Sequence, residues 1–115
     1  MKIEIVITDN FSKEAKKLLK KYKSLQSELR TLNGELLKNP EIGTSIGKKS
    51  YKIRLAVKSK GKGKSGGLRI ITHLEVQVHL EEKNQKLYLL SIYDKSETEI
   101  ISEKELNRML LRIRI

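Results

Sequence analysis

The chain has no cysteine, which excludes disulfides and thiolate-held metals outright. It lacks any apolar run approaching the length that crosses a membrane. The first residues, MKIEIVITDN, mix Lys2, Glu4 and Asp9 with short apolar stretches, without the uninterrupted segment a signal peptide needs. The expectation is a cytoplasmic protein with no membrane partner. A third absence says more than these two. Between Ile42 and Leu74 there is not one carboxylate.

That same stretch holds nine cations: Lys48, Lys49, Lys52, Arg54, Lys58, Lys60, Lys62, Lys64 and Arg69. The formal charge of the chain is +11, and outside the stretch 16 basic residues are nearly balanced by 14 acidic ones. A positive field so localised steers a polyanion on to one surface. Nucleic acid, above all RNA, is the first candidate. The length of 115 residues suits one domain, residues 1–115, with a single modest core.

The hydrophobic pattern predicts the element order strand, two helices, three strands, helix. Ile3, Ile5 and Ile7 alternate over residues 2–8, as in a strand. Phe11, Ala15, Leu18, Leu19 and Tyr22 then fall at helical spacing, with lysines 13, 16, 17, 20 and 21 on the other side. Those lysines read as a solvated face, or as a contact for ribosomal RNA. Ser24 is placed to cap a second helix that carries Leu25, Leu29, Leu32 and Leu36 inward and ends at Pro40. The short link predicts an antiparallel helical hairpin.

Three strands are expected next. Over residues 51–57, Tyr51, Ile53, Leu55 and Val57 share a face, which puts Lys52 and Arg54 on the opposite one. Over residues 68–80, Arg69, Ile71, His73, Glu75, Gln77 and His79 lie off the core face. Residues 81–86 read as a polar turn, and 87–93 as a strand. If Tyr88, Leu90 and Ile92 face the core, Ser91 and Tyr93 join the face that displays Arg54 and Arg69. Ser102 and Glu105 have capping-box spacing, with Ile101 and Leu106 as the staple, and Leu106, Met109, Leu110 and Ile113 form a helical stripe. The expected fold is α+β: a mostly antiparallel four-stranded sheet with an N-terminal helical hairpin and a C-terminal helix.

The loop from Lys58 to Gly67 alternates lysine with glycine and serine. Its lysines repel one another unless a polyanion screens them, and its glycines let backbone N–H groups approach phosphate. The alternative is a flexible, solvated loop whose charge serves solubility. It is not a nucleotide-binding P-loop. Gly63-Lys64-Ser65 resembles the end of that motif, but Lys58 stands where the first glycine belongs, and a strand follows instead of a helix. No nucleotide cofactor is expected. Nor is a metal site at His73, Glu75 and His79, because no metal motif accompanies them.

Three segments, Tyr51-Lys52-Ile53-Arg54, the run from Gly61 to Ile70, and the run from Tyr88 to Glu97, resemble the RelE/ParE superfamily of bacterial toxins. The HigB-like branch of RelE toxins, with its GKGK-type loop, is the nearest likeness. The resemblance implies a toxin that enters the ribosomal A site and cuts mRNA without a bound metal or other cofactor. It also implies an antitoxin, encoded alongside, that masks the basic surface. Lys52 and Arg54 match the strand pair that grips the scissile backbone, Arg69 the arginine after the loop, and Lys95 the lysine after the last strand. The sequence departs from the pattern at Ser96, where some relatives carry arginine, and in having no tyrosine beyond Tyr93. The base-stacking role then passes to Tyr93, or the enzyme is less active.

Cleaving RNA without metal requires attack by the 2′-OH on the neighbouring phosphate, with a base, cations on the phosphorane and an acid for the leaving 5′ oxygen. Arg54 and Arg69 suit the phosphorane, since guanidinium meets phosphate with two parallel hydrogen bonds. Lys52, Lys64 or Lys95 could move the protons, Lys95 or Lys64 being favoured as donor. Lys58, Lys60 and Lys62 are expected to bind RNA. His73 reads as an exposed strand residue rather than a base, and Glu97 as a partner for Lys95. Two alternatives remain open: a gyrase poison of the ParE kind, and a non-catalytic RNA-binding module.

Overall fold

The first strand, β1 (Lys2–Ile7), half-buries Ile3 and Ile5 and leaves Ile7 exposed. Thr8 ends it and caps α1 (Asp9–Lys21), its Oγ1 accepting the Phe11 N–H at 3.2 Å. Phe11, Ala15 and, just past the helix, Tyr22 are buried, and the lysines face outward as the spacing predicts. Helix α2 (Leu25–Lys38) buries Leu25, Leu32 and Leu36 and stops before Pro40. After it come β2 (Thr44–Gly47), β3 (Ser50–Leu55), a 3-10 turn at Lys58–Lys60, β4 (Leu68–His79), β5 (Glu82–Asp94) and α3 (Glu103–Arg112). This computed structural model describes residues 2–61, 63, 66–79, 82–96 and 101–113. Among the described residues no helix is long and apolar enough to cross a membrane.

The class is α+β, but the mostly antiparallel sheet has five strands, not the four expected, and one of its pairs is parallel. Its order is β1-β5-β4-β3-β2, with β1 parallel to β5 and the other pairs antiparallel. The additional strand, β2, has four residues, of which only Ile46 is a large apolar one, too short an alternation to register. Its turn into β3 is made by Lys48 and Lys49, both at φ 54°. Two successive left-handed residues belong to a two-residue hairpin turn, a place normally held by Asn or Gly. Lys48 is steadied there by the side chains of Asn107 and, at 3.8 Å, Glu103 of α3. The polar turn expected at residues 81–86 is also displaced. Residues Glu82 to Lys86 belong to β5, where Asn84 pairs with both Gln77 and Lys2.

Both faces of the sheet are covered. The α1–α2 hairpin packs Phe11, Ala15, Leu25, Leu32 and Leu36 on Ile53, Leu68, Ile70, Leu74, Leu87, Leu89 and Ile92. On the opposite face α3 packs Leu106 and Leu110 on Ile71, Leu90 and Tyr93. Full burial of a leucine contributes about 1.5–3 kcal/mol, and most of that from Leu106 and Leu110 holds in place a ten-residue helix too short to persist alone. Ser102 Oγ accepts the Glu105 N–H at 3.1 Å, and Ile101 and Leu106 join the same cluster, as the spacing predicts.

A bulge on β5 decides which side chains reach which face. Ile71 pairs with Ser91 but Thr72 pairs with Leu89, so Leu90 is supernumerary. The face expected to carry Tyr88, Leu90 and Ile92 together is therefore split: Leu87, Leu89 and Ile92 meet the hairpin, while Tyr88, Leu90 and Tyr93 meet α3. The carbonyls at the bulge are satisfied from the β1–α1 junction. Thr8 Oγ1 donates to Leu89 O at 2.7 Å, and Asn10 Nδ2 to Leu90 O at 2.8 Å.

Candidate nucleic-acid interface

The alternation that sets Lys52 and Arg54 opposite Ile53 carries directly into the sheet. Arg54 of β3 is paired with Arg69 of β4, and Arg69 with Tyr93 of β5, so the three form one row across the strands. The next row is Lys52, Ile71 and Ser91. Residues directly opposite project on one face with Cβ atoms about 4.5–5.5 Å apart, and like charges so placed repel. The row sets two guanidiniums in register, and a guanidinium can meet a phosphate with two parallel hydrogen bonds.

The two arginines differ in exposure. Arg54 is exposed, but Arg69 is only 3% exposed. Of the two arginines expected on one displayed face, Arg54 alone is exposed. Arg69 Nη1 donates to Leu68 O at 3.2 Å. Burial lowers its pKa from the usual arginine range, the charge of Arg54 lowers it further, and Tyr93 opposes both. Tyr93 is buried too, its ring within the cluster under α3. Its hydroxyl is buried with no hydrogen-bond partner, and burial pushes its pKa up.

The basic loop departs from the sheet over a defined anchor. Ser24, expected to cap its own helix, instead binds the loop: its Oγ accepts the Ser59 N–H at 2.9 Å and donates to Glu28 Oε1 at 3.0 Å. Glu28 Oε2 takes the Lys58 N–H at 2.7 Å, leaving the Lys58 side chain exposed. Lys60 turns inward, its ammonium on Asp94 Oδ1 and its side chain 9% exposed. That placement gives Lys60 a part in building the loop and removes it from the exposed cations. Asp94 also accepts from Tyr22 Oη at 2.8 Å and from Ser96 N and Oγ at 3.0 and 2.8 Å. Burial alone would raise its pKa, but these hydrogen bonds outweigh it and hold the carboxyl well below the usual range. At the loop's other end a Cβ on Gly67 would lie 2.1 Å from Leu55 O, so the two strands meet there through a backbone that only glycine permits.

No family model matches the chain, and no solved structure matches it significantly.

The other expected site residues divide by exposure. Lys52, on β3 between β2 and β4, and Lys95, just past the end of β5, are half-buried. Lys62, Lys64 and Glu97 lie outside the described residues. His73, expected to be exposed, is buried; its Nδ1 lies 3.1 Å from Ser50 Oγ and its ring 6.3 Å from that of Tyr88. Among the described residues no three His, Asp or Glu side chains gather as metal ligands.

Sequence reasoning missed a polar group below this face. Glu14 of α1 is half-buried beside β5, and Oε1 receives Asn10 Nδ2 and Ser91 Oγ at 2.8 Å each and the Ile92 N–H at 3.4 Å. Burial raises its pKa against the lowering effect of these bonds and of Lys17. A signal was present: Glu14 sits three residues after Phe11 and four before Leu18, a carboxylate on the apolar stripe.

Proposed function

We propose that this protein is a toxin of the RelE/ParE type that enters the ribosome in the cytoplasm and cleaves mRNA, the 2′-OH serving as nucleophile without a metal cofactor. The observation that carries the reading is the cross-strand row Arg54–Arg69–Tyr93, rising beside the anchored lysine loop. Arg54, exposed at the outer end of the row, takes the scissile phosphate. Arg69, buried beside it, adds positive potential where the phosphorane charge develops. Lys95, at the end of β5, is placed to protonate the leaving 5′ oxygen, with Lys64 the alternative donor. Lys52 and Lys58, with Lys62 in the loop, hold the flanking backbone. A cognate antitoxin would cover this surface, and its binding segment is expected to be acidic or amphipathic.

The burial of Arg69 and Tyr93 favours a second reading, a non-catalytic RNA-binding module that uses only the exposed cations. One experiment separates them. Purified protein is added to ribosomes translating a defined mRNA, and the cut sites are mapped by primer extension. The endonuclease reading expects cuts within translated codons, lost when a 2′-deoxynucleotide replaces the residue 5′ to the cut. Intact mRNA with protein still bound would decide for the module. Altered DNA supercoiling with intact transcripts would decide for a gyrase poison.

A further inference from the structure

We propose that the outer edge of β4 beyond its pairing with β3, from Glu75 to His79, is a self-association surface that takes the same edge of a second copy of this chain. The inference is independent of the RNA reading. Strand β3 accompanies β4 only from Leu68 to His73, and the last bond on that side runs from the Leu74 N–H to Lys49 O at 2.9 Å. On the other side β5 continues as far as the pair of His79 with Glu82. Strand residues alternate, so the backbone N–H and C=O groups of Val76 and Val78 point the same way as those of Leu74, away from β5. Among the described residues no backbone group meets them there. Such an edge is normally blunted by lysine, proline or a bulge, and residues 75–79 have none of these.

The edge is self-complementary. Val76 and Val78 are 38% and 64% exposed and lie on the same face as buried Leu74. An antiparallel copy related by a two-fold axis at Gln77 sets Val76 opposite the partner's Val78, and Val78 opposite the partner's Val76. Both are hydrogen-bonded positions, so each pair exchanges two N–H to C=O bonds while four β-branched side chains meet on one face. Charge also favours a like partner. The chain carries +11, but residues 75–86 hold Glu75, Glu81 and Glu82 against Lys83 and Lys86. The nearest cations outside them, Lys48 and Lys49, stand beside Leu74 at the margin of the paired segment. The basic loop enters β4 at its other end, so two copies meet where their own positive charge is least. The axis is normal to the sheet, which joins two five-stranded sheets edge to edge and sets both Arg54 rows on one side. A contact confined to residues 75–79 is far smaller than the roughly 20–30 residues a side of a stable complex, so the dimer is reversible, with a Kd of about 0.1 mM.

The test uses the full chain, freed of nucleic acid. Sedimentation from about 10 µM to about 1 mM, a range that brackets such an affinity, should show a monomer–dimer equilibrium. Val78→Lys should weaken it at least about tenfold and leave the melting temperature unchanged, since a lysine on an edge strand opposes pairing. The register is read by cross-linking, for which a chain without native cysteine is well suited. Gln77 sits on the axis at a non-hydrogen-bonded position, where opposed Cα atoms are about 4.5 Å apart and within disulfide reach. Gln77→Cys should therefore oxidise to a covalent dimer, whereas Glu75→Cys, opposite the partner's His79, should not. Both positions lie off the core clusters, so the variants should fold; should either fail, the sedimentation of Val78→Lys decides alone. A chain that stays monomeric at the highest concentration would overturn the proposal. So would a dimer that Val78→Lys leaves intact, or cross-linking of Glu75→Cys as readily as Gln77→Cys. No RNA enters these measurements, so their failure leaves the cleavage reading standing, and failure of cleavage leaves the edge contact to be read directly.

Discussion

Lys60 and Asp94 form an ion pair inside the protein, the lysine from the first turn of the basic loop and the aspartate from the last residue of β5. The Asp94 side chain is 1% exposed, so the pair is screened from solvent, and losing one partner strands the other. Asp94→Asn should destabilise the protein by about 3–5 kcal/mol, measured by urea unfolding. The pH dependence follows from the lowered Asp94 pKa. Its stabilisation is present above the ordinary carboxylate pKa of 3.8 and is lost as the pH falls through the folded value. The gap between wild type and Asp94→Asn should therefore close on acidification. A variant as stable as wild type at neutral pH would show that the loop is anchored by other contacts.

Glu14 has the opposite sign. Its pKa is raised on folding, so the folded protein holds this proton more tightly than the unfolded chain. The favourable contribution is complete below the ordinary value of 4.5 and disappears as the pH rises through the folded value. Glu14→Gln cannot ionise, so its stability relative to wild type should rise across that window. Urea midpoints followed from about pH 4 upward to about pH 7, which spans the ordinary glutamate value and the range above it, read the effect, and a gap that never changes would contradict the burial argument.

Two glycines should respond oppositely to the same substitution. Gly67→Ala places a methyl 2.1 Å from Leu55 O and must push β3 from β4, costing about 1–3 kcal/mol. Gly34 sits within α2 with nothing near its missing Cβ, so Gly34→Ala should stabilise by about 0.5–1 kcal/mol. Thermal melts of the two variants should move in opposite directions. A neutral Gly67→Ala would mean that the strands separate there without penalty.

How much of this arrangement could be read in the residues varies with distance along the chain. The alternation over residues 51–57 placed Arg54 opposite Ile53, and the alternation after the loop put Arg69 beside it. Local periodicity suffices for both. The bulge at Leu90 left no mark, because residues 87–90 are all apolar and an unbroken hydrophobic run does not reveal its phase. Strand β2 was hidden by its length, and its turn by lysines in backbone conformations that lysine seldom takes. The inward turn of Lys60 depends on Asp94, 34 positions away, and in a basic loop one lysine looks like the next. That α3 would cover Tyr93 could not be read from its stripe, which shows that the helix packs but not on which face.

The most direct test of the account concerns the exposed member of the arginine pair. Arg54 lies off both core clusters, so Arg54→Ala should leave the melting temperature unchanged. Single-turnover cleavage of mRNA on programmed ribosomes should fall by about 10²–10³-fold, the loss typical of removing one donor to a developing oxyanion. Arg54→Lys should recover part of the rate, since the charge remains but the paired hydrogen bonds do not. An Arg54→Ala protein that melts like wild type and cleaves at the wild-type rate would contradict the claim that this row of residues acts on RNA.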